Sequence, residues 1–165
     1  MVLLSNFSLL LIVMISRSYR RWREYYPTML FVPLVNALYN LIFANNRPWE
    51  FQSEFPLSHR AVDFVNTVVL QPCTVLLFLV YFPRQPMKRL LYYLGWVIFF
   101  SLLELIWHKQ DLIAYQYGWS ILWSVLFYFA MFLAIPLHHN KTLAGLLFSL
   151  AFALCLMAIF RIPVF

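Results

Sequence analysis

The stretch from His59 to Pro83, HRAVDFVNTVVLQPCTVLLFLVYFP, constrains the fold of this chain more than any other. It is apolar and long enough for a transmembrane helix, because about 20 residues rising about 1.5 Å each cross the hydrocarbon core. At about 100° per residue, its polar side chains fall within an arc of roughly 140°. A polar face in lipid is costly unless it meets other helices or water. We therefore expect the remaining helices to wrap around this one. The polar residues are His59, Asp63, Asn66, Thr67, Gln71 and Thr74.

Composition places the chain among membrane proteins. Of its 165 residues, 64% are hydrophobic and only 11% are charged, which is unlike a soluble domain. A single bundle domain is expected over residues 1–165. The net charge is +6, and the basic residues that produce it lie between the apolar runs. The positive-inside rule explains this placement without a nucleic-acid partner. Cys73 and Cys155 lie inside apolar runs and are expected to be packing residues.

The apolar runs predict an all-α fold, a polytopic transmembrane helical bundle of about six spans. The first run, residues 2–15, is short and lacks the features of a cleaved signal peptide. If it is an interfacial helix, five spans remain. The other spans are expected over residues 28–44, 59–82, 90–107, 118–137 and 142–160. Pro72 lies within the third span and lacks a backbone N–H, so the carbonyl of Val68 loses its α-helical partner. The connection over residues 45–58 is expected to lie at the interface or fold back over the bundle.

Basic residues predict the orientation. Eight Lys and Arg lie in the first, third and fifth connections, whereas four lie in the other two connections and the tail. The positive-inside rule then places both termini outside the cytoplasm. In the first connection, Arg17, Arg20, Arg21 and Arg23 alternate with aromatic residues, a pattern that suits anionic lipid headgroups. A topology signal without specific lipid binding is the alternative. The expected partners are the lipid bilayer and, at the basic turns, its anionic lipids.

Ionisable residues gather towards one expected membrane face. His59 and Asp63 are four residues apart, as are Glu104 and His108, so each pair shares a helix face. We expect Asp63 and Glu104 to face each other across an outward-opening polar pocket that handles a proton or holds a cation. Structural ion pairs are the alternative. The residues expected around the pocket are His59, Asp63, Asn66, Glu104, His108, Asn36 and Asn40.

Other clusters point to packing rather than chemistry. Gly145, Ser149 and Ala153 place small residues at every fourth position, which lets helices approach closely. This face has three alternative partners: another helix of the same chain, a second copy of the chain, or another membrane protein. His138 and His139 lie in an expected turn and are therefore expected to be solvated, so the sequence identifies no metal site. It also lacks GxGxxG, GxxxxGK[ST], HExxH, CxxC and GxSxG, so neither a cofactor nor a catalytic domain is expected.

Several phrases resemble an uncharacterised family of multi-pass membrane proteins from spore-forming Bacillus- and Clostridium-like bacteria. They are YYPTMLFVPLVNALYN at 25–40, PWEF at 48–51, TVLLFLVYFP at 74–83 and GWSILWS at 118–124. The resemblance implies a Gram-positive plasma membrane and a sporulation or germination setting. It implies no activity and no site residues.

These features predict a small integral membrane protein that acts as a ligand- or ion-binding or transport unit. A structural subunit of a membrane assembly is the first alternative, since the chain has no soluble domain. The substrate-capture subunit of a vitamin transporter is a second alternative, although the expected position of the termini argues against it. An intramembrane enzyme is the third, because carboxylates and histidines are present without a nucleophile motif.

Overall fold

The computed structural model describes residues 2–43, 47–54 and 57–160. Phe55, which the sequence places in the second connection, and the tail from Arg161 lie outside these residues. Within them the chain is an all-α bundle with one pair of short strands, which confirms the expected fold class. The helices are α1 (Val2–Ile15), α2 (Trp22–Ile42), α3 (His59–Val65), α4 (Gln71–Val80), α5 (Pro86–Lys109), α6 (Ile121–Asn140) and α7 (Thr142–Phe160), and the strands are β1 (Trp49–Phe51) and β2 (Ile113–Tyr115).

Four helical segments of the described chain are long and apolar enough to cross a membrane. They are His59–Val80, Pro86–Lys109, Ile121–Asn140 and Thr142–Phe160. α1 and the helical segment Ser18–Ile42 meet at an angle of 75°, and they form a fifth span if the bent pair crosses together. The sequence led us to expect about six spans, or five if the first helix is interfacial. α1 has 14 residues, a length of about 21 Å that is short of the hydrocarbon core, so it is not long enough to span by itself.

The first basic connection is the bend between α1 and α2 rather than a loop. Arg17 adopts the left-handed backbone conformation, with φ at 57°, and a 3-10 turn follows over Ser18–Arg21. α2 then begins at Trp22, six residues before the start expected from the sequence. The arginines are therefore held on turns of helix at this corner.

The segment His59–Val80 is the central helix of the bundle, as the sequence predicts. Half of its apolar window is buried inside the protein (50%), compared with 22%, 33% and 6% for the spans of α5, α6 and α7. Residues 73–79 of α4 are buried without interruption. α1 and α2 pack against α4, so the central helix is covered on several sides.

A π-helical turn over Asn66–Leu70 joins α3 to α4 within this central helix. The N–H of Gln71 donates to the carbonyl of Asn66, five residues earlier. The turn ends at Leu70, two residues before Pro72, the residue that has no N–H to donate. The helix thus continues past the proline with a wider turn, and the constant 100° per residue assumed from the sequence is wrong here.

β1 and β2 pair antiparallel and join the two connections that contain them. Trp49 lies opposite Tyr115, Glu50 opposite Ala114 and Phe51 opposite Ile113. The sequence predicted that the first of these connections lies at the interface or folds back over the bundle, but it did not predict strands. We call the end of the bundle that carries β1 and β2 the strand end. The opposite end, which carries the α1–α2 bend and the start of α5, is called the basic end.

α6 and α7 form a close antiparallel pair on one side of the bundle. α6 continues through Pro136 as far as Asn140, whereas the sequence ended this span at residue 137. His138 and His139 therefore lie on a helix and not in a turn.

Candidate functional site

Asp63 is the centre of a polar cluster between α2 and the central helix. The Asn40 side-chain amide donates to Asp63 Oδ2 at 2.6 Å, and Asn36 also hydrogen-bonds to this carboxylate. Asn36 Nδ2 donates to Thr67 Oγ1 at 2.7 Å, and the Thr67 hydroxyl donates to the backbone carbonyl of Asp63 at 2.8 Å. The structure thus brings together Asp63, Asn36 and Asn40, as the sequence predicts. We call these residues and Thr67 the Asp63 cluster.

Two further groups act on the Asp63 carboxylate through their charge. Arg47, on the chain just before β1, and His59, at the start of α3, both interact with it electrostatically. The Arg47 Nε atom is buried and has no hydrogen-bond partner among the described residues. His59 is exposed, and Asp63 is half-buried. The cluster therefore lies at the strand end, with Asp63 only partly covered and His59 exposed.

Asn66 belongs to a different contact from the one expected. The Asn6 side-chain amide donates to Asn66 Oδ1 at 2.5 Å and to the Val2 carbonyl at 3.0 Å. Both asparagines are 3% exposed. Asn66 thus ties the π-helical turn to α1. The sequence signal for this pair was Asn6 itself, a polar residue within a short apolar run.

Glu104 forms a second network with β2 and α6. The Tyr115 hydroxyl donates to Glu104 Oε1 at 2.7 Å, and the Ser124 and Tyr128 hydroxyls also donate to this carboxylate. Trp119 Nε1 donates to the Ser124 hydroxyl at 2.8 Å. Glu104 is only 6% exposed. We call these residues the Glu104 network; three hydroxyl donors replace the water that burial removes from its carboxylate.

The Tyr115 hydroxyl stays protonated in this network. Burial raises the pKa of the Tyr115 hydroxyl well above its ordinary value, and the hydrogen bond to Glu104 raises it further. The hydroxyl therefore acts as a donor to the carboxylate.

The two carboxylates have separate partners. Within the described chain, no hydrogen bond joins the Asp63 cluster to the Glu104 network. Nor do the described residues contain a group of three or more His, Cys, Asp or Glu side chains placed to hold a metal ion. The structure thus shows Asp63 and Glu104 in two separate hydrogen-bond networks at the strand end, and a pocket between the two carboxylates stays a prediction.

His108 does not hydrogen-bond to Glu104 four residues earlier. Its Nδ1 atom lies 2.9 Å from the Ile113 carbonyl, and its ring stacks on Tyr115 at a centroid distance of 4.1 Å. Both side chains of the expected pair instead contact Tyr115, and His108 holds β2 against the end of α5.

Gly145 lies where α7 approaches the backbone of α6 closely. A Cβ atom at this position would lie 2.5 Å from the Cα of His138. Ser149 and Ala153 follow on α7 and are half-buried. The expected close helix contact therefore exists at Gly145, and it is made within the chain.

His138 is buried, which corrects the expectation that it is solvated. Its Nδ1 atom lies 3.0 Å from the Thr28 hydroxyl, and its ring stacks on Phe31 at 4.1 Å. His139, by contrast, is exposed. The continuation of α6 past Pro136 is the reason, because it turns His138 towards α2.

The four arginines at the α1–α2 bend, Arg17, Arg20, Arg21 and Arg23, are all exposed. Arg21 forms an ion pair with Glu24 at 2.8 Å and lies over the Tyr25 ring at 5.2 Å. Arg23 lies over the Trp22 ring at 5.7 Å. Arg17 and Arg20 make no salt bridge within the described residues. Arg17 and Arg20 thus remain available to an anionic surface, as does Arg23 when it leaves the Trp22 ring.

Comparisons with protein families, with curated proteins and with solved structures find no match to this chain. Its interpretation therefore depends on the geometry described above.

Proposed function

We propose that this integral membrane protein binds a proton or a small monovalent cation at Asp63 and has no catalytic domain. The observation that supports the proposal is the half-buried Asp63 carboxylate, which lies near one end of an apolar span. This carboxylate accepts amide hydrogen bonds from the neighbouring helix α2. Ionisable residues within such spans are rare and are commonly functional.

Asp63 is a better candidate than Glu104 because its coordination is incomplete. Glu104 is almost fully buried and accepts from three hydroxyls, so a ligand would have to displace hydrogen bonds already made. Asp63 is half-buried and accepts from amides only. Its neighbour His59 is exposed at the start of α3.

The π-helical turn beside Asp63 adds support. Such turns are rare and frequently occur at functional sites. Here the turn begins three residues after Asp63 and includes Thr67, whose hydroxyl bonds to the Asp63 carbonyl. The wider turn therefore shapes the backbone on which the cluster is built.

We also infer the setting of this activity from the sequence alone. The uneven distribution of Lys and Arg supports an orientation in which both termini and the strand end are extracytoplasmic. The resemblance to proteins of spore-forming bacteria supports a plasma membrane and a role in ion uptake or transport during sporulation or germination. Under this proposal Asp63 meets ions from outside the cell.

A subunit of a membrane assembly is a second candidate, and α7 favours it. Only 6% of its apolar window is buried inside the protein, although α7 is the most apolar of the four spans. A second copy of the chain or another membrane protein is the partner that this surface would take, with lipid as the alternative.

The test compares Asp63→Asn with Glu104→Gln as the matched carboxyl-to-amide control. Infrared difference spectra recorded during a pH titration report carboxyl protonation, and thermal unfolding in sodium chloride and in choline chloride reports sodium binding. We expect one component of the titrating carboxyl bands, or stabilisation by sodium, to be common to the wild type and Glu104→Gln. That component or that stabilisation should be lost in Asp63→Asn, while the bands of the other carboxyls remain, because ligand that binds only the folded state stabilises it. If Asp63→Asn retains whichever signal the wild type shows, or if the wild type shows neither, the proposal is wrong.

A further inference from the structure

An open apolar groove of about 450 Å³ runs between α1 and α5 on the outside of the bundle. Leu9 and Ile12 form the wall on α1, and Gly95, Trp96 and Phe99 form the wall on α5. Leu77 of α4 also lines the groove. A Cβ atom at Gly95 would meet nothing within 4 Å, so the missing side chain leaves free space. The groove is therefore an open furrow along the apolar faces of these helices and not a closed cavity.

The groove ends at polar groups on the basic end. Tyr81, which lines it, hydrogen-bonds through its side chain with Ser16 and Ser18. These serines flank Arg17 at the α1–α2 bend. On α5, Tyr92 lines the groove and donates to carbonyls at the end of α4. The end of the groove is thus lined by the hydroxyls of Tyr81 and Tyr92, whereas the rest of the groove is apolar.

Basic residues flank the residues that form this end of the groove. Arg17 is exposed and lies in the chain between Ser16 and Ser18, the two serines that contact Tyr81. Lys88 is exposed one helical turn before Tyr92 on the same face of α5. Residues 81–92 include no acid, and the one acid in residues 16–26 is Glu24, whose partner is Arg21. The basic end therefore carries an excess of positive charge at the mouth of the groove.

We propose that the groove holds one acyl chain of an anionic phospholipid, with its phosphate between Arg17 and Lys88. The shape and the charge support this occupant together, since an apolar groove that lies next to basic residues at one end matches an acyl chain that ends in an anionic headgroup. A second protein helix would cover the apolar walls but would leave the cations without a partner. Each cation near an anionic lipid strengthens the contact by about fivefold.

The experiment measures lipid retention by the whole chain. The protein is reconstituted in vesicles of equal phosphatidylglycerol and phosphatidylcholine, extracted in mild detergent, and analysed by native mass spectrometry. Gly95→Leu fills the groove, and Ala151→Leu adds the same side chain on exposed α7 as its control. Arg17→Asn with Lys88→Gln removes the cations, and asparagine is chosen because it tolerates the left-handed backbone at Arg17. Arg60→Gln with Lys109→Gln removes two exposed cations from the strand end as the matched control.

We expect the wild type and both controls to retain one phosphatidylglycerol in preference to phosphatidylcholine. Gly95→Leu should lose the retained lipid, and the Arg17 and Lys88 variant should lose about fivefold of the preference for each cation removed. Thermal unfolding checks that each variant is folded, and Gly95→Leu should fold well because leucine is the better helix former. Retention of the lipid by Gly95→Leu, no preference in the wild type, or equal losses from cation removal at the two ends would each overturn the proposal.

Discussion

Gly145 of α7 packs directly on the backbone of His138 in α6, so that a Cβ atom at Gly145 would lie 2.5 Å from the His138 Cα. Backbone atoms cannot move aside as a flexible side chain can. Gly145→Leu should therefore lower the free energy of unfolding by about 1–3 kcal/mol or more. Thermal unfolding in detergent measures the change.

Gly95→Ala is the matched control for this prediction. Nothing lies within 4 Å of a Cβ atom at Gly95, so alanine should raise helix stability there by up to about 1 kcal/mol. Equal stability of the two glycine variants would show that α6 and α7 separate without cost.

Glu104→Gln should lower the free energy of unfolding by about 2 kcal/mol. Glutamine has one acceptor oxygen and a donor group where the carboxylate accepts from the hydroxyls of Tyr115, Ser124 and Tyr128. Glu50→Gln is the control, because Glu50 accepts one amide hydrogen bond at 3.3 Å in an exposed contact. A Glu104→Gln protein as stable as Glu50→Gln would contradict a structural role for the network.

Tyr115 predicts a loss of stability in alkali. The pKa of its hydroxyl is raised by burial and then by Glu104 above the ordinary value of 10.0. Above pH 10.0 the unfolded chain releases this proton while the folded chain retains it, so stability that is complete below that pH declines as the pH rises. Tyr115→Phe should be less stable at neutral pH and should lose less stability in alkali. Parallel stability curves for Tyr115→Phe and the wild type would contradict this account.

The strand pairing makes the orientation testable with two sites at once. Because β1 pairs with β2, the exposed residues Ser53 and Gln110 lie at the strand end, whereas exposed Gln85 lies at the basic end. Single cysteines at Ser53 and Gln110, in a chain without Cys73 and Cys155, should react with an impermeant reagent from outside the cell. A cysteine at Gln85 should not. The reverse pattern would place the Asp63 cluster in the cytoplasm.

Local periodicity was sufficient to predict part of the candidate site. Asn36 and Asn40 share a helix face by their spacing, and Asp63 lies on the polar face of a helix that was expected to be buried. Their contact follows once those two faces meet, and the structure contains it.

The Glu104 network depends on contacts that periodicity does not report. Its three donors lie 11, 20 and 24 residues away in the sequence, on a strand and another helix. A tyrosine such as Tyr115, close after an expected span, indicates by its type and place only an aromatic residue at the membrane interface. β1 and β2 have three residues each, too few for an alternating pattern to stand out. Their pairing instead results from two connections that meet at the strand end.

The π-helical turn at Asn66–Leu70 also rotates the side chains before it relative to the side chains after it, about the axis of the central helix. A π turn holds about one residue more than an α turn, so it offsets the two halves of the helix by about 100°. Were one residue among the five deleted, a continuous α-helix would remain possible, but Asp63 would rotate away from Asn40 if residues 73–79 kept their places in the core. The direction in which Asp63 points is therefore fixed by the number of residues between it and Pro72, independently of what their side chains are.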